Sequence, residues 1–155
     1  MNRWIALALF LVAAFTVAAI GGSATAGSVR EWYPTLAKPP WNPPSWVFGP
    51  AWTLLYILMS GAAWRIWERR DQTGATTTLW LHGAQLVLNA LWSVLFFGMQ
   101  RPDLALINII ALLTILVVIQ FRLRRIDPVA AWLWAPYVAW VTFATALNKA
   151  IWLLN

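Results

Sequence analysis

The chain contains no cysteine, one histidine and few charged residues, which make up 10% of its 155 residues. Without cysteine it can form neither disulfides nor thiolate metal sites, and it has no cysteine nucleophile. All five acidic residues lie in connections or at the ends of apolar stretches: Glu31, Glu68, Asp71, Asp103 and Asp127. No carboxylate pair is therefore placed inside an apolar stretch for acid–base catalysis or a proton relay, and no metal site is predicted.

Hydrophobic residues make up 61% of the chain and the mean hydropathy is +0.66, so there is too little polar surface to coat a soluble globule. A helix needs about 20 apolar residues to cross the ~30 Å hydrocarbon core of a bilayer. Five stretches qualify, at about 4–20, 47–67, 77–98, 104–121 and 129–153. The sequence predicts an all-α fold, a polytopic membrane protein formed by a single five-transmembrane-helix bundle over residues 1–155.

The eleven basic residues give a net charge of +6 but lie in short clusters between the apolar stretches, which does not favour nucleic acid as a partner. With a cytoplasmic N-terminus, seven fall inside and four fall outside at Arg30, Lys38, Arg101 and Lys149. The positive-inside rule thus predicts a cytoplasmic N-terminus and a C-terminus outside. The alternative is that the arginine side chains extend to the membrane interface and their positions say nothing about the orientation of the chain.

The first apolar stretch has a second interpretation. Arg3, an apolar run and then Ala24-Thr25-Ala26 also fit a secretory signal with an A-x-A cleavage site. The run is longer than a typical signal core, which favours a helix that stays in the protein. Cleavage would leave a mature chain that begins at Gly27 and has four helices.

The first connection, residues 21–46, is the only long one. It begins with the small residues G-G-S-A-T-A-G-S and continues into W-Y-P and K-P-P-W-N-P-P, where prolines remove hydrogen-bond donors and fix φ. The segment predicts a stiff lid loop over residues 21–46 that lies across the mouth of the bundle. Later in the chain, Asp127 and Pro128 predict a helix N-terminus, and Pro136 predicts a kink or a freed carbonyl in the fifth helix.

Polar side chains recur on one face of the third stretch. The stripe consists of His82, Gln85, Asn89, Trp92 and Phe96, at offsets of 3, 7, 10 and 14 residues. Because polar groups within a membrane normally face a protein interior or a cavity, this face should point into the bundle. Interhelical hydrogen bonding is the alternative to a ligand site for each of these polar residues.

Two other stretches carry aromatic residues at helical spacing. They are Phe48, Trp52 and Tyr56 in the second stretch, and Tyr137 and Trp140, followed by Ala144 and Asn148, in the fifth. Counted at ~1.5 Å per residue from the outer ends, most of these side chains fall in the half of the bundle beneath the lid loop. This coincidence predicts a pocket for a flat apolar ligand, with ordinary packing as the alternative for each stripe.

Signals for known catalytic chemistry are weak. The chain has no G-x-S-x-G, H-E-x-x-H or phosphate-loop motif. His82 lies toward the cytoplasmic end, roughly 10 Å along the helix from Asn89. As an axial haem ligand it would have no supporting partner, so a packing or interface histidine is the favoured interpretation.

Four motifs carry a resemblance to a known family. They are W-Y at 32–33, K-P-P-W-N-P-P-S-W-V-F-G-P-A-W-T-L-L-Y at 38–56, N-A-L-W-S-V-L-F-F at 89–97, and P-Y-V-A-W-V-T-F-A-T-A-L-N at 136–148. With them the chain resembles the tryptophan-rich sensory proteins of the TspO/translocator protein family (peripheral benzodiazepine receptor, MBR). The first and fourth stretches match only as apolar spans.

The resemblance implies a five-helix membrane protein, usually a homodimer, that binds porphyrins such as protoporphyrin IX and has no obligatory cofactor. It also implies a bacterial cell membrane as the location and a link to tetrapyrrole handling under light or oxygen stress. The family's ligand-binding positions would fall on nine residues here: Tyr33, Pro43, Trp52, Asn89, Trp92, Trp140, Ala144, Leu147 and Asn148.

One departure from the family concerns sterols. The sterol-recognition pattern on the last helix needs a basic residue within five positions after its tyrosine, but Tyr137 is followed by V-A-W-V-T. Val29, Tyr33 and Lys38 satisfy the spacing, but in what reads as a proline-containing loop, where a chance match is favoured. The sequence therefore argues against sterol as a partner.

The leading hypothesis is a membrane receptor or carrier for tetrapyrroles and haem precursors. The porphyrin would stack on Trp52 and Trp140, with hydrogen bonds from Asn89 and Asn148. A basic residue of the lid loop, Arg30 or Lys38, would pair with a propionate.

Two further hypotheses stay open. One is a light-dependent porphyrin-degrading enzyme in which Trp52 and Trp140 donate electrons to the excited ligand. The other is a purely structural or regulatory membrane partner with ordinary core tryptophans. Small residues at Ala14, Ala18 and Gly22 hint at oligomerisation, although packing within one chain explains their spacing equally well.

Overall fold

A computed structural model describes all 155 residues and contains helices but no strands. The five long helices are α1 Arg3–Glu31, α2 Phe48–Glu68, α3 Ala75–Ser93, α4 Pro102–Ile126 and α5 Pro128–Leu154. A π-helical turn, Val94–Gly98, continues α3, and each helix is long and apolar enough to cross a membrane. The predicted all-α, five-helix membrane bundle is confirmed.

The predicted boundary between the first helix and the lid loop is wrong. The small residues after Ile20 continue α1 for three more turns, to Glu31. Packing decides this, because a Cβ on Gly21 would lie 3.0 Å from Ser93 Oγ, and the Ser28 hydroxyl donates to the carbonyl oxygen of Phe97. Tertiary contacts thus override the low helix propensity of the glycines. The lid loop is residues 32–47, and the name is used for these residues below.

The turns at the other end of the bundle follow the sequence more closely. Asp127 is the N-cap of α5, since its Oδ1 accepts a hydrogen bond from Val129 N at 3.1 Å, and Pro128 is the first helical residue. The fourth helix extends five residues beyond the predicted 121, and the first of them, Arg122, donates from Nε to Thr78 Oγ1 at 3.0 Å. Gly74, at φ 87°, makes the turn into α3.

The helices are arranged around the bundle in the order α1, α2, α5, α4 and α3. The first helix packs against α2 and α3, the second also packs against α5, and α4 lies between α3 and α5. We call the end that carries the lid loop the lid end, and the end that carries the α2–α3 and α4–α5 turns the arginine end. Seven of the eleven basic residues lie at the arginine end: Arg3, Arg65, Arg69, Arg70, Arg122, Arg124 and Arg125.

Nineteen buried apolar residues form one cluster that includes Trp134, and a second cluster of five lies at the lid end. Trp134 is 1% exposed, and its indole N–H donates to the carbonyl oxygen of Leu116 at 3.1 Å. Near Pro136, which lies within α5 without ending it, Gln120 Nε2 donates to the carbonyl oxygen of Ala131 at 3.0 Å. Ala14 is fully buried within the chain, so packing inside one protomer accounts for a small residue that had hinted at oligomerisation.

Candidate functional site

A cavity of about 420 Å³ lies at the lid end, between α1, α2, α3 and α5. The fourth helix contributes no residue to its wall, and the lid loop closes it with Tyr33 and Ser45. Aromatic, aliphatic and small side chains make up most of the lining, and no charged residue belongs to it. The volume lies in the ~300–1,000 Å³ range of small-molecule sites.

Eight of the nine predicted site residues line this cavity. They are Tyr33, Trp52, Asn89, Trp92, Trp140, Ala144, Leu147 and Asn148. The ninth, Pro43, is half-buried in the lid loop and does not belong to the cavity wall. The loop turns into a short 3₁₀ helix from Ser45 to Val47, so that Ser45 and Phe48 face the cavity instead.

Trp52 and Trp140 are two of the half-buried aromatic residues of the wall. The ring of Trp52 lies 5.6 Å from that of Tyr56 and 6.2 Å, edge to face, from that of Tyr137. Trp140 contacts Phe48 edge to face, with ring centroids 6.0 Å apart. The indole N–H groups of Trp52 and Trp140 donate to no protein acceptor and are not fully buried, so both stay available to a ligand.

The asparagine amides of the wall are already paired within the protein. Asn148 Oδ1 accepts from the Trp92 indole at 3.0 Å, while its Nδ2 donates to the carbonyl oxygen of Pro102 at 2.8 Å. Asn89 Oδ1 accepts from the Tyr56 hydroxyl at 2.8 Å, and its Nδ2 donates to the Tyr137 hydroxyl at 2.7 Å. Each amide keeps only one N–H and one oxygen lone pair free. The main role of both asparagines is therefore to join helices, which is the alternative of interhelical hydrogen bonding given above.

The polar face of α3 forms a chain of hydrogen bonds that runs from the cavity into the bundle. Beyond Asn89, the Tyr137 hydroxyl donates to Gln85 Oε1 at 2.7 Å, and Gln85 Nε2 lies 3.3 Å from His82 Nδ1. The His82 ring is buried between Phe10 and Trp134 and does not line the cavity. A ligand in the cavity therefore has no axial contact with His82, which is a packing histidine.

The lid loop is held by polar contacts at three points. The Tyr33 hydroxyl donates to Asn42 Oδ1 at 2.9 Å, and burial raises the pKa of this phenol. Lys38 Nζ donates to the carbonyl oxygens of Tyr33 and Leu36, at 2.8 and 2.9 Å. Ala37 and Asn155 exchange two hydrogen bonds, which tie the loop to the end of α5. Two of the three N–H donors of Lys38 are thus used in hydrogen bonds within the lid loop.

The comparison with known proteins agrees with this architecture. The model of the TspO/MBR family matches residues 8–153, nearly the whole chain. The chain belongs to the TspO/MBR family. It is 42% identical over 147 residues to the tryptophan-rich protein TspO of Archaeoglobus fulgidus, covering 94% of both chains.

Further TspO/MBR relatives come from a bacterium and from an animal. The tryptophan-rich protein TspO of Chlorobaculum tepidum is 37% identical over 160 aligned residues, covering 100% of this chain and 99% of the relative. The human translocator protein is 32% identical over 151 residues, covering 96% of this chain and 89% of the relative. The membrane family expected from the four motifs is thereby confirmed.

The part of this TspO/MBR cavity that sequence reasoning missed is the wall formed by α1. Six of its residues line the cavity: Phe15, Ala18, Gly21, Gly22, Thr25 and Val29. In the sequence, the first helix was interpreted as a uniformly apolar span followed by a loop. It therefore showed no polar or aromatic stripe that would point inward. The available signal was the run of small residues, which lets another element or a ligand approach the backbone closely.

Proposed function

We propose that this protein is an integral membrane receptor or carrier that binds tetrapyrroles, such as protoporphyrin IX and other haem precursors, in the cavity at the lid end. The observation that carries the proposal is an uncharged aromatic cavity of about 420 Å³ with two unpaired indole donors, those of Trp52 and Trp140, in its wall. A flat macrocycle gains stacking area from the indole faces and hydrogen bonds from their N–H groups.

The charge distribution supports the same ligand class. Since the wall carries no charge, the apolar ring of a porphyrin fits inside, whereas its carboxylates would have to stay at the mouth. Arg30 is exposed in the last turn of α1 and makes no ion pair, so it can pair with a propionate there. The names of the relatives, tryptophan-rich protein and translocator protein, are consistent with a carrier but name no ligand.

Binding can be tested by titrating protoporphyrin IX into the purified protein while following tryptophan fluorescence. Trp52→Phe and Trp140→Phe each remove one N–H donor and part of a stacking face, so each should weaken binding about fivefold, or ~1 kcal/mol. Trp132→Phe is the matched control, because Trp132 is 77% exposed and lies outside the cavity. Unchanged affinity in both cavity variants would place the site elsewhere.

Light-dependent porphyrin breakdown is the second candidate function, favoured by the two indoles in the cavity wall. Electron donation from Trp52 or Trp140 to the excited ligand would form a tryptophan radical cation and a porphyrin radical anion. Attack of dissolved dioxygen on the reduced porphyrin would then consume it, so illumination in air should lower the porphyrin concentration. The loss should slow in Trp52→Phe and Trp140→Phe when they are compared at equal occupancy. If the illuminated complex returns only unchanged porphyrin, the enzyme hypothesis is excluded and the receptor proposal stands.

We further propose a bacterial cell membrane as the location, a cytoplasmic arginine end and a homodimer. The seven-to-four distribution of basic residues supports this orientation. Because the chain lacks cysteine, single Asp71→Cys and Pro34→Cys variants report each end without background. For the orientation, an impermeant maleimide added to intact cells should label only Pro34→Cys. For the homodimer, light scattering in detergent should give twice the protomer mass.

A further inference from the structure

The exposed residues of the cavity wall all lie on one side. They are Phe15 and Gly22 on α1, Ser45 in the lid loop, and Gly49 and Thr53 on α2. Every lining residue from α3 and α5 is buried or half-buried. The cavity is therefore open between α1 and α2 and closed on its other sides.

The contacts between α1 and α2 explain this opening. From the arginine end, Trp4 stacks on Trp64 at 5.6 Å, and the Ser60 hydroxyl lies 3.3 Å from the carbonyl oxygen of Phe10. The last aromatic pair along the two helices is Phe15 with Tyr56, at 6.1 Å.

Beyond that pair, glycines line the gap. A Cβ built on Gly22 or on Gly49 has no neighbour within 4 Å, so each faces open space. The two helices thus leave a slot between them toward the lid end.

The slot lies at the depth of the hydrocarbon. Arg3 and Glu68 form an ion pair of 3.0 Å that marks the arginine end of both helices. Gly22 lies nineteen residues from Arg3, and Gly49 lies nineteen residues from Glu68, which is about 28 Å in each helix. Phe15 lies ~18 Å from the same level. Since the hydrocarbon core is ~30 Å thick, the slot faces acyl chains of the lid-end leaflet.

The aqueous side of the cavity is closed more firmly. Tyr33 is only 7% exposed, and its backbone carbonyl and hydroxyl are both hydrogen-bonded within the lid loop. Ala37 is tied to Asn155 at the end of α5 by two hydrogen bonds. Entry through the loop would break these bonds, whereas entry through the slot breaks none.

We propose that the slot between α1 and α2 is a lateral portal, by which the cavity takes up and releases its ligand directly through the hydrocarbon of the lid-end leaflet. The ligand class is a bilayer-dissolved flat amphiphile, whose polar groups stay near the interface while its apolar body moves sideways. That a tetrapyrrole passes through the portal rests on the proposed function, but the existence of the portal does not.

A thiol in the cavity tests the portal without any porphyrin. Ala144→Cys adds the only thiol of the chain to the cavity wall. In liposomes, a lipid-soluble maleimide should label it faster than a charged, water-soluble one. Adding Gly22→Leu narrows the slot, so labelling by the lipid-soluble reagent should become at least about tenfold slower.

Two matched controls accompany that variant. Gly27→Leu places the same side chain on α1 in open space outside the cavity wall, and it should leave labelling unchanged. Asn155→Ala releases the lid loop and should also leave labelling unchanged. Equal labelling in Gly22→Leu and Gly27→Leu, or faster labelling in Asn155→Ala, would overturn the portal.

The facing helix provides a second variant in case Gly22→Leu does not fold. Gly49→Leu should slow labelling in the same way, and Gly83→Leu, an open and lipid-exposed position on α3, is its control. If Gly49→Leu folds and labels as fast as Gly83→Leu, the slot is not the route of entry.

Porphyrin kinetics separate the portal from the proposed function. Because Gly22 also borders the cavity, the two rates are compared here and not the Kd. Narrowing a portal in Gly22→Leu slows both association and dissociation of protoporphyrin IX. Filling the cavity would instead raise the dissociation rate, which would contradict the proposal. If the parent protein binds no porphyrin, the proposed function is wrong, while thiol labelling still decides the portal.

Discussion

The two ends of the bundle are built from the same five helices but differ in how the space between them is filled. At the arginine end, Trp134, Ile66 and Leu123 are each 1% exposed and border a cavity of only about 10 Å³. At the lid end, the helices surround about 420 Å³. A chain can hold an open cavity at one end because close packing at the other end fixes the helices.

Charged contacts reinforce the same difference. The Asp127 carboxylate, 3% exposed, pairs with Arg65 at 2.6 Å and Arg69 at 2.9 Å, which joins α2 to the start of α5. Burial raises the pKa of Asp127, but the hydrogen bond and charge of Arg65 outweigh it and hold this pKa below its usual value. The lid end has only the exposed pair of Arg101 and Asp103, two residues apart in one chain segment.

The largest expected effect comes from truncating the core at the arginine end. Trp134→Ala removes a fully buried indole and its hydrogen bond, and it should lower the free energy of unfolding by ~3–5 kcal/mol. Trp140→Ala is the matched change at the lid end, where the ring already borders the cavity, and should cost ~1 kcal/mol. Denaturant unfolding in detergent measures both, and equal costs would contradict the difference between the ends.

Asp127→Asn should have the next largest effect. Asparagine keeps the N-cap but leaves Arg65 and Arg69 without their carboxylate, which should cost ~2 kcal/mol at neutral pH. Because the folded-state pKa is lowered, this stabilisation is complete above the unfolded pKa of ~3.9 and is lost as pH falls through the folded value. The stability of Asp127→Asn should therefore fall less steeply in acid, and a parallel pH profile would refute the role of the carboxylate.

Tyr137→Phe probes the hydrogen-bond chain where the two ends meet. The substitution removes the hydroxyl shared by Asn89 and Gln85, with little change in volume, and should cost ~1 kcal/mol. It also frees an N–H of Asn89 at the cavity wall, so porphyrin affinity should hold or rise. A large loss of affinity without loss of stability would show that the tyrosine itself contacts the ligand.

The smallest effect concerns the unexpected length of α1. Gly27→Ala should stabilise by ~0.5–1 kcal/mol, because alanine favours a helix and its Cβ meets nothing. At Gly21 the new Cβ would lie 3.0 Å from Ser93 Oγ, which should cancel that gain. Thermal melts in detergent distinguish the two, and equal gains would mean that α1 does not pack against α3 there.

Much of the site was predictable because a bilayer restricts where polar groups can lie. Lipid disfavours the amides and indole donors of α3 and α5, so their helical spacing alone directs them inward. Trp52 on α2 was located differently, from the helical spacing of Phe48, Trp52 and Tyr56 and from its depth beneath the lid loop. Neither signal identified Phe15 or Gly22 on α1, because an apolar or small side chain is equally acceptable to lipid and to a cavity.

What the sequence alone determined is the number of membrane-spanning helices, the cap at Asp127, and the inward face of each polar helix, since these depend on local chemistry and on the hydrophobic thickness. Only the tertiary structure decided that α1 continues through its glycines to Glu31, that Pro43 lies outside the cavity, and that the asparagine amides are paired. Those outcomes depend on distances between helices, which no single segment specifies.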